Sequence, residues 1–362
     1  MATQNGRNEE ASVKDDFSPE TPTPPSKSIP SRSSWTVVTT PQDASLLPTL
    51  GVTLWLGWNG FLVYALIYLL LFASNQVRGV VIALCIVSVS LPLDFWMSDS
   101  SPGRRMGNWC MRMGERYFGL TTTVEDEGAL RSIPLDRAAV LAAEPHDILP
   151  YAVFAFSPCL GRIPDRIGRD HRCLMTSAIF RIPFLRQAYA WTSGGPVDRA
   201  TFRRRLSRGE SFTFVPGGVQ EVTAMDPACP SRDVVLYLRS RKGFVKLALE
   251  RGSPIVPVFC FGVEGSYGHW IPRGKWAAEV GRAIGFLPLV YWGRYGVPFG
   301  IPRPNKIHVV VGSPIDVPMM GAGSIGGDAV DKYHGIFLEE MEALFERHKA
   351  DAGYEGRKIR II

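Results

Sequence analysis

A histidine that follows a short apolar run is the first candidate for chemistry in this chain. Ala138 to Ala143 has the length of a buried strand, and Pro145 ends it because proline neither donates to a strand ladder nor continues a helix. His146 is therefore expected just beyond the carboxyl end of a strand, where open α/β sheets bind their ligands. A neutral imidazole there predicts a general base, since its ordinary pKa lies near working pH.

A glycine pair followed by a carboxylate is the second candidate. Ser211 to Val215 is a predicted strand, Pro216-Gly217-Gly218 closes it, and Glu221 follows. Consecutive glycines let the backbone approach a ligand, and their N–H groups can hold an oxyanion or a phosphate. A plain tight turn with a solvated glutamate is the alternative. We predict the oxyanion donor at Gly217-Gly218 and expect either Glu144 or Glu221 to hold the imidazole.

Two cations form the third candidate. Arg241 and Lys242 begin a predicted helix that runs to Arg251, and Gly252 suits the position after its end. Backbone N–H groups and the dipole at a helix N-terminus favour anions, so this start suits a phosphorylated ligand such as coenzyme A. A solvated charge pair at the start of a surface helix is the alternative.

The N-terminal part of the chain contains a membrane-like region. Ala44 to Val77 has no Asp, Glu, Lys or Arg, and within it Leu50 to Ala73 is long enough to cross a bilayer core of ~30 Å as a helix. Gly79 to Leu93 is a second, shorter apolar stretch. Two arrangements fit: a helical hairpin that enters and leaves by one face, or a single span with an interfacial helix. The arginines that follow predict that the remaining domain faces the cytosol.

Three regions follow from this pattern. Residues 1–45, rich in Ser, Thr and Pro, predict a disordered cytosolic tail. Residues 46–98 form the predicted membrane-embedded hairpin. Residues 99–362 alternate strand-like and helix-like stretches, which predicts an α/β domain. Its clearest further elements are the strands Ile255–Phe261 and Ile307–Val311 and an amphipathic helix, Val330–His348. Gly281 to Pro304, rich in Gly, Pro and aromatics, predicts an irregular or membrane-apposed segment.

Charge and cysteine usage limit the partners. The net charge of +6 suits anionic lipid surfaces and phosphate-bearing ligands. The chain has no zinc-finger spacing, RNP motif or arginine-rich arm, so nucleic acid is not an expected partner. The six cysteines are scattered without CxxC or zinc-site spacing, which predicts reduced thiols and no metal site.

Taken together, these blocks resemble the type-2 diacylglycerol acyltransferases, and most closely the plant and algal branch. The similarity runs from about residue 46 to the C-terminus and rests on the ordered combination of motifs. These are Glu144-Pro-His, Phe214-Val-Pro-Gly-Gly-Val-Gln-Glu221, Arg241-Lys-Gly-Phe with Val256-Pro-Val-Phe-Cys-Phe-Gly, and Phe345-Glu-Arg-His-Lys-Ala350. Asp147 stands where plant relatives usually have Ser. Related glycerolipid acyltransferases carry Asp five residues after the His, a position that is Tyr151 here.

The resemblance implies a glycerolipid-acyltransferase-like α/β domain with an N-terminal transmembrane helical hairpin in the endoplasmic reticulum membrane, with the lipid droplet as a second location. It implies acyl-CoA-dependent esterification of diacylglycerol to triacylglycerol, with His146 as general base and no cofactor, because acyl-CoA is a substrate. Glu144 and Glu221 join His146 as expected catalytic positions. The expected substrate contacts are Pro145, Asp147, Pro216, Gly217, Gly218, Arg241 and Lys242.

Other functions fit part of this pattern. The same fold can act on monoacylglycerol, or on a long-chain alcohol to give a wax ester. A non-catalytic lipid-droplet or membrane-shaping protein would keep the hairpin, but the intact His146 and Pro-Gly-Gly argue against it. The expected partners are acyl-CoA, diacylglycerol and a bilayer or droplet surface, and the sequence leaves a homo-oligomer open.

Overall fold

One large sheet organises the computed structural model, which describes residues 34–224, 233–272, 279, 289–321 and 323–362. The strands are β1 (Thr36–Thr39), β2 (Thr121–Val124), β3 (Val140–Glu144), β4 (Arg172–Met175), β5 (Gly194–Pro196), β6 (Phe212–Phe214), β7 (Val234–Leu236), β8 (Ile255–Phe261), β9 (Gly268–Trp270), β10 (Val290–Trp292), β11 (His308–Val311) and β12 (Ile359–Ile361). Eight of them form the sheet, in the order β1-β2-β11-β8-β3-β6-β4-β5. The other described strands pair as β7 with β12 and β9 with β10.

Strand direction brings several loops to the same edge of this sheet. The strands β8, β3, β6, β4 and β5 are mutually parallel, whereas β11 runs antiparallel to β8. The segments that follow β3, β6 and β8 therefore emerge side by side. Because the strand β3 lies between β6 and β8, the residues after it are at the centre of that edge.

Helices cover both faces of the sheet. They are α1 (Leu46–Val52), α2 (Trp58–Phe72), α3 (Asn75–Ser90), α4 (Pro102–Phe118), α5 (Glu127–Ser132), α6 (Asp165–Gly168), α7 (Leu185–Trp191), α8 (Arg199–Ser207), α9 (Gln220–Ala224), α10 (Gly243–Arg251) and α11 (Gly327–His348). Side chains alternate across a strand, so β3 serves two cores. Leu141 and Ala143 pack into a core with α4, whereas Val140 and Ala142 pack into one with α10 and α11. This confirms the predicted α/β architecture.

Most predicted elements of the domain are confirmed. The strand Ile255–Phe261 has the predicted bounds, and the strands expected before Pro145 and before Pro216 are β3 and β6. The helix expected from Arg241 begins at Gly243 instead and ends at Arg251, and the Gly252 that follows has a φ of 61°, the left-handed conformation expected there. The helix α11 begins three residues before the predicted Val330.

The tail is shorter than predicted. The strand β1 lies within the expected disordered segment 1–45, yet it pairs antiparallel with β2 at the edge of the sheet. The next residue toward the N-terminus, Trp35, places its ring 4.2 Å from that of His348. The prediction for residues 34–45 is therefore wrong, because backbone pairing with an open sheet edge orders them. Residues 1–33 lie outside the described part of the chain.

The predicted single helix over Leu50–Ala73 is broken. Two arms, Leu46–Gly57 and Gly60–Phe72, meet at 52°. The first arm packs on the domain, where Gly51 leaves no room for a Cβ against the Met113 side chain of α4. Among the residues described here, no single helix has both the length and the apolar character to cross a membrane, although the two arms together pass that test.

The end of the helix α3 is fixed to the domain by Ser88. The backbone N–H of Phe184 donates to Ser88 Oγ at 2.7 Å, and the Gln187 side chain donates to the Ser88 carbonyl at 2.6 Å. The segment 46–90 is thus attached at both ends, through α1 to α4 and through Ser88 to α7.

Candidate active site

Three blocks of the chain, two of them predicted, converge at the carboxyl edge of the sheet. His146 follows β3, Pro216-Gly217-Gly218 follows β6, and Glu264 follows β8. Each block sits at the end of a parallel strand, so the sheet brings together residues that are far apart in the chain.

The imidazole of His146 is held by a backbone carbonyl. Its Nδ1 atom lies 2.7 Å from the carbonyl oxygen of Asp147. A carbonyl oxygen only accepts hydrogen bonds, so Nδ1 carries the proton and Nε2 carries the lone pair. Asp147 turns its carbonyl toward the ring with a φ of 45°, a conformation that is uncommon for a residue other than glycine. Burial lowers the pKa of His146 to about 4, so the ring is neutral at physiological pH.

Both glutamates bind backbone rather than the ring. Glu221 accepts from the N–H of His146 at 2.7 Å and from the N–H of Tyr237 at 2.9 Å. Glu144 accepts from the N–H of Gly217 at 2.6 Å. The expectation that one of them holds the imidazole is wrong for the described structure. The reason is the geometry of the turn after β3, in which the carbonyl of Asp147 occupies the hydrogen-bonding position at His146 Nδ1.

The two glutamates form a buried carboxyl pair. Both side chains are fully buried, and a Cβ at Gly217 would clash with Glu221 and lie 3.0 Å from Glu144 Oε1. Burial, together with the charge of Glu221, raises the pKa of Glu144 well above its ordinary value. Burial also raises the pKa of Glu221 to about 7. Two carboxylates this close cannot both ionise easily, so the pair retains a proton at neutral pH.

The glycine pair has a different role from the predicted one. Gly217 uses its N–H for Glu144, so that group does not point at an oxyanion. Gly218 has a φ of 64°, and the nearest atom to a Cβ there would be Arg241 Nη2 at 4.0 Å. Gly217 therefore makes room for the carboxyl pair, and the left-handed Gly218 turns the loop. The predicted Pro145 and Pro216 are buried beside them.

Asp147 and Glu264 extend the acidic cluster. The Asp147 side chain is buried, and burial together with the nearby Glu264 raises its pKa to about 8. Glu264 also has a raised pKa because it is buried, and it accepts a hydrogen bond from the Tyr354 hydroxyl. Glu264 is a residue of this cluster that was not among the predicted site residues. Its position in the sequence could have indicated a site residue, because it closely follows the strand Ile255–Phe261, which was expected to be buried.

The two predicted cations, Arg241 and Lys242, have different partners in the structure. The Arg241 side chain reaches the glycine loop, donating to the Gly217 carbonyl at 3.4 Å and to the Gln220 side chain, and its positive charge acts on both glutamates. Lys242 pairs instead with Asp331 of α11 at 2.7 Å, with both side chains largely exposed. The structure thus places Arg241 at the site and Lys242 on the surface.

The position that holds Asp in related acyltransferases has another use here. The Tyr151 hydroxyl is hydrogen-bonded to Ser266 Oγ, and its ring stacks on Phe118 at 4.8 Å. No group of three or more His, Cys, Asp or Glu that could hold a metal ion occurs among the residues described here.

Comparison with known proteins identifies the family. The diacylglycerol acyltransferase family model matches residues 75–360. Diacylglycerol O-acyltransferase 2 of Homo sapiens is 30% identical over 292 residues, which cover 73% of this chain and 70% of that protein. Acyl-CoA wax alcohol acyltransferase 1 of Homo sapiens is 27% identical over 71% of this chain and 80% of that protein.

One solved structure also aligns. The 1-acyl-sn-glycerophosphate acyltransferase PlsC from Thermotoga maritima is 17% identical, covering 82% of this chain and 96% of that one, with a TM-score of 0.35. That overlap is too low to support a functional comparison. The match of the family model to most of the chain is the decisive finding: this chain belongs to the diacylglycerol acyltransferase family and is an acyltransferase enzyme of lipid biosynthesis.

Proposed function

We propose that this chain transfers the acyl group of acyl-CoA to the free hydroxyl of diacylglycerol, giving triacylglycerol, with His146 as general base. The observation that carries the proposal is the hydrogen bond from His146 Nδ1 to the Asp147 carbonyl. It leaves the lone pair on Nε2, at the sheet edge where α/β enzymes bind ligands. The family relatives named for diacylglycerol support the choice of acceptor.

The reaction balances without a covalent enzyme intermediate. Nε2 takes the hydroxyl proton as the acceptor oxygen attacks the thioester carbonyl, and a C–O bond forms. The tetrahedral intermediate then collapses, the C–S bond breaks, and the imidazolium returns its proton to the coenzyme A thiolate. A base whose pKa is lowered by burial stays neutral and ready for this transfer at physiological pH.

Neighbouring groups have supporting roles in this proposal. Glu221 positions the His146 backbone, and Glu144 positions the glycine loop. Arg241 is the cation at the loop for an acyl-CoA phosphate or for the oxyanion. Lys242 has an exposed partner, a type of ion pair that contributes ~0–1 kcal/mol, so it stays available to anions without being fixed at the site.

The lipid substrate motivates a membrane location. Diacylglycerol stays in a bilayer and acyl-CoA comes from water, so the site belongs at the interface. The helices α2 and α3 expose many apolar side chains, such as Tyr68, Leu71 and Phe72 on the first and Val80 and Ile86 on the second. We place this surface in the endoplasmic reticulum membrane, or on a lipid droplet, with the sheet domain on the cytosolic side.

An acceptor experiment tests the function. Membranes from a host without neutral-lipid synthesis would receive labelled oleoyl-CoA with diacylglycerol, monoacylglycerol or a fatty alcohol. Label in triacylglycerol that depends on His146 supports the proposal. Label only in wax ester or in diacylglycerol would keep the mechanism and change the acceptor, an outcome that the wax alcohol relative makes worth testing. No label from a folded, membrane-bound protein would contradict catalysis.

A further inference from the structure

An exposed, uncharged loop stands out on the surface beside the broken helix. Tyr295-Gly-Val-Pro298 is a run of four exposed residues without a charge. Tyr295 is 74% exposed and Val297 is 53% exposed. Trp270, on the strand that pairs with β10, is 56% exposed. We call Gly268–Trp270 and Val290–Phe299 the aromatic lobe.

Two residues of this lobe have a left-handed backbone conformation. Tyr295 has a φ of 69° and Phe299 a φ of 53°, a region that costs roughly 1–2 kcal/mol for a residue with a Cβ. Phe299 offsets that cost by packing against the ring of Tyr291 at 4.9 Å. Tyr295 does not bury its ring, and its described ring contact is with the Arg294 guanidinium at 4.9 Å. The exposed ring of Tyr295, beside the exposed Val297 and Trp270, forms an apolar surface of the kind that contacts a partner outside the chain.

The lobe is continuous with the apolar helix α2. The Phe299 ring lies 5.7 Å from the ring of Tyr64 on that helix. A Cβ at Gly60 would lie 2.6 Å from the Cβ of Phe299, and one at Gly57 would lie 2.9 Å from Ile301. Gly60 allows the helix and the lobe to touch, and Gly57 allows the same close approach just before the helix, so the exposed face of α2 and the exposed loop border each other.

We propose that the aromatic lobe is a second membrane contact, in which Trp270, Tyr295 and Val297 enter the headgroup region of a phospholipid bilayer. Tyr and Trp favour that region because their rings are apolar and their tips are polar. The guanidinium of Arg294 lies over the Tyr295 ring and donates to Thr49 Oγ1 of α1 at 3.4 Å, which fixes this loop to the helix α1. This inference rests on the proposed function, since it supposes a substrate in the bilayer.

This contact would fix the distance between the active site and the surface of the bilayer. The rings of Tyr291 and Tyr267 are 5.0 Å apart, and Tyr267 lies 6.4 Å from Tyr151. Tyr151 follows His146 by five residues, on the same loop. A chain of buried rings thus joins the lobe to the catalytic loop, whereas α2 alone is separated from the sheet by a bend.

Photocrosslinking tests the contact directly. The full chain would carry p-benzoylphenylalanine at position 295, at Tyr68 of α2, or at Leu135, and would be reconstituted in phosphatidylcholine vesicles that contain radiolabelled phosphatidylcholine. Leu135 is a matched control because it is 82% exposed and precedes β3, at the opposite edge of the sheet from His146. We expect lipid crosslinking at 295 within about threefold of that at 68, and about tenfold above that at 135.

The outcomes separate this inference from the proposed function. Lipid crosslinks at 68 but not at 295 would overturn the lobe contact and leave the membrane placement intact. Crosslinks from 295 to a second copy of the chain would also overturn it and would identify a protein interface. Crosslinks at neither position would overturn both membrane statements, while the acyl-transfer assay would still decide the chemistry. If the probe at 295 reduces folding, position 297 serves the same purpose.

A glycine substitution adds a functional readout. Tyr295→Gly removes the ring but suits the left-handed backbone, so we expect an unchanged or higher Tm. We expect its rate on bilayer diacylglycerol to fall several-fold, while its rate on a monodisperse short-chain diacylglycerol stays at the wild-type level. An equal loss on both substrates, or no loss on either, would contradict a bilayer contact.

Discussion

The Glu221 carboxylate accepts a hydrogen bond from the backbone N–H of His146 at 2.7 Å, while the imidazole of the same residue bonds to the Asp147 carbonyl. The carboxylate therefore positions the histidine through its main chain and leaves the ring without a charged partner. This differs from a His–Asp dyad, in which a carboxylate stabilises the imidazolium.

The first concerns His146 itself. His146→Ala should lower kcat by about 10²- to 10⁴-fold, because it removes the general base, and should leave membrane association unchanged. Acyl transfer from labelled acyl-CoA measures the rate, and flotation with vesicles measures the association. Wild-type turnover in this variant would refute the assignment.

The pH profile gives an independent test. A base acts when deprotonated, and burial lowers the pKa of His146 from 6.5 to about 4. The acid limb of kcat/KM should therefore centre well below pH 6. A limb near 6.5 would show that the ring is solvated during turnover. An inflection near 7 that disappears in Glu144→Gln would belong to the carboxyl pair instead.

The carboxyl pair should affect stability in a defined pH window. Folding raises the pKa of Glu221 from 4.5 to about 7 and also raises that of Glu144, so their stabilising protonation is complete below pH 4.5 and is lost as the pH rises through about 7. Glu144→Gln mimics the protonated acid and can still accept from Gly217. As the pH rises from 4.5 to about 7, we expect the Tm of the wild type to fall relative to the Tm of Glu144→Gln.

Comparison with the variant isolates the pair from His146, whose lowered pKa acts in the opposite direction below pH 6.5. Glu221→Gln serves as the contrast. Its amide group would face one of the two backbone N–H groups that Glu221 binds, which should cost ~1–3 kcal/mol of stability at any pH. Parallel Tm curves for the wild type and Glu144→Gln would contradict a shared proton.

Gly217 should be intolerant of any side chain. In Gly217→Ala the Cβ would clash with the Glu221 carboxylate. We expect a loss of activity of at least ~10-fold, because either the carboxyl pair or the glycine loop must move. Gly243→Ala is the control, since a Cβ there meets nothing within 4 Å. Equal activity of the two variants would show that the loop relaxes freely.

Substitution of Arg241 and substitution of Lys242 should have different effects on activity. Arg241→Ala removes the positive charge that acts on the carboxyl pair, so it should raise the apparent pKa of the pair and lower kcat, whereas Lys242→Ala should change kcat by less than about twofold. Acyl-CoA titrations would distinguish phosphate binding, because loss of a phosphate contact raises KM. A larger effect at Lys242 than at Arg241 would reverse our interpretation.

The membrane surface is best tested by point substitution. Deleting residues 46–98 would also remove the packing of α1 on α4 and the hydrogen bonds of Ser88. Leu71→Asp changes a side chain that is 63% exposed, and a charge at the centre of a bilayer costs about 2.5–3.5 kcal/mol. We expect easier extraction of this variant from membranes by alkaline carbonate, with Leu135→Asp as control. Identical extraction would place α2 outside the bilayer.

The sequence by itself determined the local elements and the positions of the candidate site residues. Apolar runs ended by Pro145 and by Pro216-Gly217-Gly218 predicted two strands with candidate site residues after their ends, because strand length and chain breakers are local properties. The family resemblance also followed from the order of these blocks. The same local evidence predicts a general base at His146.

The tertiary structure decided which groups meet. Glu144 and Glu221 are far apart in sequence, and their shared burial around Gly217 depends on the order of β3 and β6 in the sheet. The hydrogen bond of His146 to a carbonyl depends on the φ of Asp147, which residue types alone do not specify. The bend in the apolar segment was likewise visible only in the tertiary structure, where the first arm packs on α4. Hydropathy records how apolar a stretch is and not what it packs against.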